Sequence, residues 1–219
     1  FPSAGFTVEN PDGGTTWTTI DTSAITAALT DAIITDLKFY NNTLLIAFSD
    51  VADGTGTDGG LAYSVNFAAP VVSTLTGGTS TGVNVISRFG ETVWAFGTGG
   101  QVWKSCDYGI TYSLLDPGIV GDVFDADYDP FRKQMVIVGT GGEIWQYNGS
   151  SFIDISTQVD VAADADVMSV VTLGSGKWSL GTASGSVYEN FNFPTTTTWT
   201  PTSLGATSIT ALAGDGIGY

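Results

Sequence analysis

The sequence predicts an all-β protein: a five-bladed β-propeller of four-stranded antiparallel blades, its ring closed by N-terminal strands that complete the C-terminal blade. Three observations predict it. First, Val93 to Trp103 (VWAFGTGGQVW) returns as Val136 to Trp145 (VIVGTGGEIW) and as Trp178 to Tyr188 (WSLGTASGSVY), so that Gly97, Gly139 and Gly181 stand 139 − 97 = 42 and 181 − 139 = 42 residues apart. A period of that size built from strands means a propeller or an array. Second, Leu44 to Tyr63 is a fourth copy with an insertion at Asp50 to Thr57. Third, Gly216 to Tyr219 followed directly by Phe1 aligns without a gap on Thr92 to Tyr112, which sets Asp12 on Asp107 and Trp17 on Tyr112. A match across the two ends, in register, is what a ring requires.

Within each repeat the first strand is a short run closed by a polar turn: Ile34 to Tyr40, Val83 to Phe89, Val123 to Tyr128, Val167 to Leu173 and Ile209 to Ala213. Second strands are the most continuously apolar: Leu44 to Phe48, Val93 to Phe96, Met135 to Val138, Trp178 to Leu180 and Ile217 to Tyr219. Such runs suit strands covered on both faces by neighbouring sheets. Third strands alternate, as in Gln101 to Lys104 and Glu143 to Gln146, and the GTGG turns before them supply the positive φ a tight hairpin needs. Outer strands are the weakest: Thr16 to Ile20, Val71 to Leu75, Thr111 to Leu115, Phe152 to Ile155 and Thr198 to Thr202. No helix is required, and Asp21 to Asp31 reads as a connection between blades. The blades run at about 34–75, 83–116, 123–157, 167–204, and 208–219 joined to 1–20, in one domain spanning 1–219.

Composition agrees with this and excludes several functions. The 219 residues hold 29 Gly, 12% aromatics and only 13% charged side chains, and 42% are hydrophobic, enough for a core. Asp and Glu number 22 against 6 Lys and Arg, a formal charge of −16. That field repels phosphate backbones, which argues against nucleic-acid binding, and no apolar run approaches the roughly 20 residues that cross a bilayer, so no membrane insertion is expected. Cys106 is the sole cysteine, which leaves no intrachain disulfide. The chain opens on Phe1 rather than Met, which reads as a processed product or a domain of a longer protein.

Asn10-Pro-Asp-Gly-Gly-Thr-Thr-Trp17 and Ser105-Cys-Asp-Tyr-Gly-Ile-Thr-Tyr112 share the order S/N-x-D-x-G-x-T-aromatic. At these residues the chain resembles the Asp-box, or BNR-type, propeller repeats of sialidases, some glycosidases, photosystem assembly factors and many viral and secreted proteins. The physical logic of the box is local. The Asp carboxylate accepts N–H groups of its own turn, the Gly takes the left-handed conformation, and the aromatic ring packs beneath. The resemblance therefore implies structural roles for Asp12, Gly14 and Trp17 and for Asp107, Gly109 and Tyr112, on the face away from the family's catalytic pocket. Degraded boxes stand at Ser64-Val-Asn-Phe67, Tyr147-Asn-Gly-Ser150 and Glu189-Asn-Phe-Asn192.

Catalysis finds little material. Sialidases of this fold clamp a carboxylate with three arginines, and the chain has only Arg88 and Arg132. Histidine is absent, which removes serine-triad, His-metal and histidine acid–base routes. Paired carboxylates for a glycosidase arise by chance among so many Asp.

Candidate sites are then acidic or aromatic. Asp50, Asp53 and Asp58 sit in an Asp/Gly loop whose oxygens suit Ca²⁺, although the spacing is not that of an EF-hand and a solvated loop is the first reading. No cofactor is required elsewhere. Loops at that rim should also gather Asp116, Asp122, Asp160, Asp164 and Asp166. Asp125, Asp127 and Asp129 alternate along a first strand, on a face expected to line the central channel as solvated acids or as a seat for a cation or basic partner. Tyr40, Phe67, Tyr108, Phe191 and Phe193 could stack on sugar rings or simply pack between blades. Two functions follow. The first is a non-enzymatic interaction module with protein partners in a secreted, extracellular or virion-surface assembly of phage-like kind. The second is a glycan-binding lectin-like propeller or glycosidase. A chaperone resembling the photosystem factors ranks below both, because those engage their clients through basic residues, which this chain, with 6 Lys and Arg, hardly has.

Overall fold

The computed structural model describes residues 7–9, 17–19, 23–28, 32–50, 59–78, 82–159, 161, 165–205 and 208–214. Two short strands open it, β1 (Thr7–Glu9) and β2 (Trp17–Thr19), paired antiparallel with Glu9 opposite Trp17. The helix α1 (Ser23–Ala28) follows. The first full sheet is β3 (Ala32–Tyr40), β4 (Thr43–Asp50), β5 (Gly59–Val65) and β6 (Val71–Val72), in that order. After β7 (Thr74–Thr76) comes the second sheet, β8 (Val83–Phe89), β9 (Thr92–Gly97), β10 (Val102–Ser105) and β11 (Thr111–Leu115). The third is β12 (Val123–Asp129), β13 (Gln134–Gly139), β14 (Ile144–Tyr147) and β15 (Phe152–Asp154). A short helix, α2 (Ser156–Val159), precedes the fourth: β16 (Val167–Gly174), β17 (Lys177–Thr182), β18 (Ser186–Asn190) and β19 (Thr200–Ser203).

The four sheets are meanders that pack face to face in chain order, with first strands innermost: β3 lies against β8, β8 against β12, and β12 against β16. The apolar core accordingly falls into wedges between sheets. Leu45, Ala47 and Leu61 meet Ile86, Trp103 and Tyr112 in one; Trp94 and Phe96 meet Val123, Met135 and Ile137 in the next; Val136, Val138 and Ile144 meet Val170, Trp178 and Leu180 in the third. β9, β13 and β17 are buried almost throughout, as expected of strands covered on both faces. On the far face of the first sheet Ile25 of α1 packs with Leu44, Ile46, Phe48 and Ala62. β3 nevertheless leaves Ile33, Leu37 and Phe39 exposed, unlike β8, β12 and β16.

Three expectations need correction. The connection at Asp21 to Asp31 contains α1, whose Ile25 is buried, so a helix is present where none was required. The outer strand at Val71 to Leu75 is split: β6 stays with its sheet, while β7 crosses to the second and pairs parallel with β11, Thr74 opposite Thr111. Ser73 sits at the crossing, taking the Leu61 carbonyl with its N–H at 2.8 Å and giving its hydroxyl to the Gly109 carbonyl at 2.6 Å. Ile209 to Ala213 forms no strand, although Ile209 N–H donates to Thr182 O at 2.9 Å. Among the described residues, then, three four-stranded sheets, one four-stranded meander widened to five strands by β7, and the pair β1–β2 are seen; Gly216 to Tyr219 and Phe1, on which the fifth blade also depends, lie outside them.

Candidate functional site

All four first strands carry a β-bulge at the same place, with Thr35, Asn84, Phe124 and Met168 as the extra residues. A bulge re-aims side chains. Thr35 Oγ1 donates to the Val83 carbonyl at 2.5 Å, and Asn84 Nδ2 donates to the Val123 carbonyl at 2.8 Å, the equivalent acceptor one sheet on. The residue after the bulge repeats the device with an acid: Ile86 N–H donates to Asp36 Oδ2 at 2.8 Å, and Val170 N–H to Asp125 Oδ2 at 2.9 Å. Asp127 continues it, accepting Thr172 N–H at 2.8 Å, and Asp129, fully buried, accepts Gly176 N–H at 2.6 Å and Phe131 N–H at 2.8 Å. The channel acids thus join neighbouring sheets through backbone donors. Burial pushes the Asp125 and Asp127 carboxyls up, and these hydrogen bonds and the nearby Lys38 only partly offset it.

The opposite rim has a second recurring contact. Gly99 N–H donates to Asp122 Oδ1 at 2.7 Å, and Gly141 N–H donates to Asp166 Oδ1 at 2.8 Å, each joining a GTGG turn to the acid before the next sheet's first strand. Gly99 and Gly141 have φ of 62° and 67°, as the sequence expects of these turns. Asp116 caps its own turn through Gly118 N–H. Asp53, Asp58, Asp160 and Asp164 lie outside the described residues, as does the Asp50 side chain, so the Ca²⁺ candidate falls there too; among the described residues no group of three or more acids or thiols has metal-holding geometry.

The box at Ser105 to Tyr112 has the geometry its residues imply. Thr111 donates to Asp107 twice, through N–H to Oδ1 at 2.9 Å and through its hydroxyl to Oδ2 at 2.6 Å, and the Ser105 hydroxyl donates to Oδ1 at 2.8 Å. Burial raises the Asp107 carboxyl, but the hydrogen bonds from Thr111, Ser105 and Ile110 outweigh it and hold the group below its usual range. Gly109 has φ of 88° and Tyr112 is buried beneath. Asn148 and Asn190 make similar contacts in the corresponding turns, Asn148 Oδ1 accepting Ser150 and Ser151 N–H at 3.0 Å each and Asn190 Oδ1 accepting Asn192 N–H at 2.9 Å. Asp12 and Gly14 lie outside the described residues, and of Trp17 only the backbone pairing is described.

At the box end of the sheets, where first and third strands finish, a cavity of about 450 Å³ opens between the first strands, lined by Lys38, Tyr40, Arg88, Asp127, Tyr128 and Thr172. Arg88 lies over the Tyr40 ring at 4.8 Å, Tyr40 meets Tyr108 at 6.0 Å, and Phe39 stacks on Phe67 at 5.3 Å. Phe193 is instead buried against Trp199. All four exposed aromatics among the described residues, Phe39, Tyr108, Phe131 and Phe191, stand at this end. Sequence reasoning picked out Tyr108 and Phe191 but missed Phe39, Phe131 and the cavity, and it expected the functional loops at the other rim. A strand's side-chain alternation names a face; it does not say at which end of the stack a gap opens.

An all-β stack of four-stranded meanders with innermost first strands is a β-propeller. No protein-family model matches the sequence, and comparison with curated proteins finds no match. Solved structures do match in shape. A structure described as YCF48 bound to D1 peptide superposes with a TM-score of 0.56 at 17% identity, over 79% of this chain and 54% of that one. The β-propeller domain of Cps50 (Swd1) from Myceliophteria thermophila gives 0.59 at 15% identity, over 83% and 61%, and the computationally designed Ika8 protein gives 0.51 at 13%, over 71% and 45%. This chain thus spans roughly half of each, and the likeness establishes the propeller fold.

Proposed function

We propose that this propeller is a non-enzymatic interaction module that holds a protein partner at the box end, over the mouth of the central cavity. The observation that carries the reading is that the exposed aromatics Tyr108, Phe131 and Phe191 stand at the same end of the sheets as a preformed opening. Large rigid rings beside a concavity are what anchors at protein interfaces are made of. The acids that might have served a hydrolase, Asp125, Asp127 and Asp129, have oxygens engaged by backbone N–H groups, which supports a scaffold rather than a catalyst. Arg132 is likewise engaged, donating to Ser175 O and Asn192 Oδ1. That one structure of similar fold is described with a peptide bound favours the same use of this fold.

The ring we propose has five blades, with β1 and β2 as the third and fourth strands of the last. Support comes from their antiparallel pairing, from the exposed face of β3, and from Ile209 lying beside β17. The acidic, Thr- and Gly-rich composition supports a secreted or virion-surface assembly as the setting. The test places a photo-cross-linking residue at Phe131 or Phe191, with Thr202 on β19 as control, in the native source of the protein. Adducts to one partner from the first two positions and none from the third are expected. Adducts from all three alike, or none, would defeat the docking reading, and hydrolysis of a chromogenic-glycoside panel would defeat the non-enzymatic one.

A further inference from the structure

The six basic residues of this chain are Lys38, Arg88, Lys104, Arg132, Lys133 and Lys177. Lys38, Arg88 and Lys104 stand near the C-terminal ends of β3, β8 and β10, Arg132 and Lys133 occupy the turn between β12 and β13, and Lys177 begins β17. In a meander the first and third strands finish at the same end as the turns that lead into the second, so all six lie at the box end. Five acids among the described residues share it: Glu91, Asp107, Asp127, Asp129 and Glu189, of which Asp127 stands on β12 level with Lys38 on β3. Asp107 and Asp129 spend their oxygens on Thr111, Ser105, Phe131 and Gly176. The other end holds Asp116, Asp122, Glu143, Asp154 and Asp166 and no base among the described residues. A strand such as β8 is about 20 Å long at about 3.3 Å per residue, twice the Debye length of roughly 8 to 10 Å in physiological salt. The acidic rim therefore does not cancel the basic one, despite the net charge.

We infer that the segment this end receives is acidic: a carboxylate-bearing peptide whose apolar side chains seat among Tyr108, Phe131 and Phe191 while its acids meet Arg88, Lys133 and Lys38. The inference rests on the docking reading and names its partner's chemistry. Arg88 carries most of it. Its guanidinium lies over Tyr40 at the cavity edge with no ion pair among the described residues, so it is presented and unneutralised, whereas Lys38 already has Asp36 at 3.8 Å. A peptide is favoured over an acidic sugar because this end also exposes Tyr108, Ile110 and Phe131, apolar groups that a chain of alternating apolar and acidic residues matches together with the cations.

The test uses the full chain and a fluorescein-labelled peptide alternating Asp with Phe and Leu, its Lys-for-Asp counterpart, and an oligogalacturonate. Binding of the acidic peptide at least about tenfold tighter than of either other probe is expected. It should weaken about tenfold in Arg88→Glu/Lys133→Glu and survive in Arg88→Lys and in Asp116→Asn at the other end. The urea midpoint of the double variant, unchanged, shows that the loss is not unfolding. Equal or tighter binding of the basic peptide, tighter binding of the oligogalacturonate, no binding of any probe, or indifference to the double variant overturns the inference. If cross-linking from Phe131 or Phe191 captures a partner through a basic segment, the acidic partner is wrong while the docking reading stands; if it captures nothing, the docking reading itself has failed.

Discussion

Asp125 on one first strand accepts the N–H of Val170 on the next at 2.9 Å, and its second oxygen accepts the N–H of Ala126 at 2.8 Å. Asp36 repeats the arrangement toward Ile86 and Leu37. A carboxylate is suited to this because both of its oxygens accept, so one residue can hold its own strand and its neighbour's together.

Asn in place of either Asp125 or Asp127 keeps the shape but offers one oxygen and an NH₂, so one buried N–H must face another donor. Each replacement is expected to cost about 1 to 3 kcal/mol, read from urea denaturation, with the double variant worse than either. An unchanged midpoint in both would show that these contacts carry no net stability.

The two kinds of acid should respond to pH with opposite sign. Asp125 and Asp127 titrate above their ordinary value when folded, so the stability they contribute is full below the unfolded value of about 3.9 and is lost as pH rises through the raised one. Asp107 titrates below its ordinary value, so its contribution is present above about 3.9 and is lost as pH falls through the lowered one. Comparing urea midpoints between about pH 3 and 7, Asp107→Asn should flatten the acid limb of the profile, whereas Asp127→Asn should remove part of the decline as pH rises. Identical changes of slope in the two variants would contradict the assignment.

Gly109 and Gly99 separate two uses of the same residue. A Cβ at Gly109 would collide with the Leu45 side chain of the preceding sheet at a φ of 88°, while one at Gly99, φ 62°, meets nothing within 4 Å. Gly109→Ala should cost about 2 kcal/mol or more and Gly99→Asn under about 1. Thermal denaturation distinguishes them, and equal losses would mean that the box does not press on its neighbour.

Trp103 is fully buried with an indole N–H that finds no partner among the described residues. Trp103→Phe should therefore change stability by less than about 1.5 kcal/mol, since the unpaired donor leaves with the lost volume, while Trp103→Ala should cost about 3 to 5. Similar losses for both would reveal a partner for the indole.

If β1 and β2 complete a fifth blade, removing residues 1–20 should lower stability by about 3 kcal/mol or more, read from urea denaturation. A truncated chain as stable as the whole would set the ring closure aside.

Much of the fold is legible because its causes are local. The 42-residue spacing of Gly97, Gly139 and Gly181, the apolar second strands and the left-handed turn glycines are each fixed by neighbours along the chain, and so is the box around Asp107, whose partners lie within four residues. Sequence by itself determined the four meanders and which glycines turn them. It could not show that Asp125 faces Val170, since that needs two strands 45 residues apart to stand side by side. Nor could it move Thr74–Thr76 onto the edge of the next sheet, or bury Ile25 from a segment with weak helical bias. Only the tertiary structure decided that a cavity opens between the first strands at the box end and that Arg88 lies over Tyr40 at its edge, because both depend on how neighbouring sheets pack, and hydrophobic periodicity along a strand names a face without naming what stands opposite it.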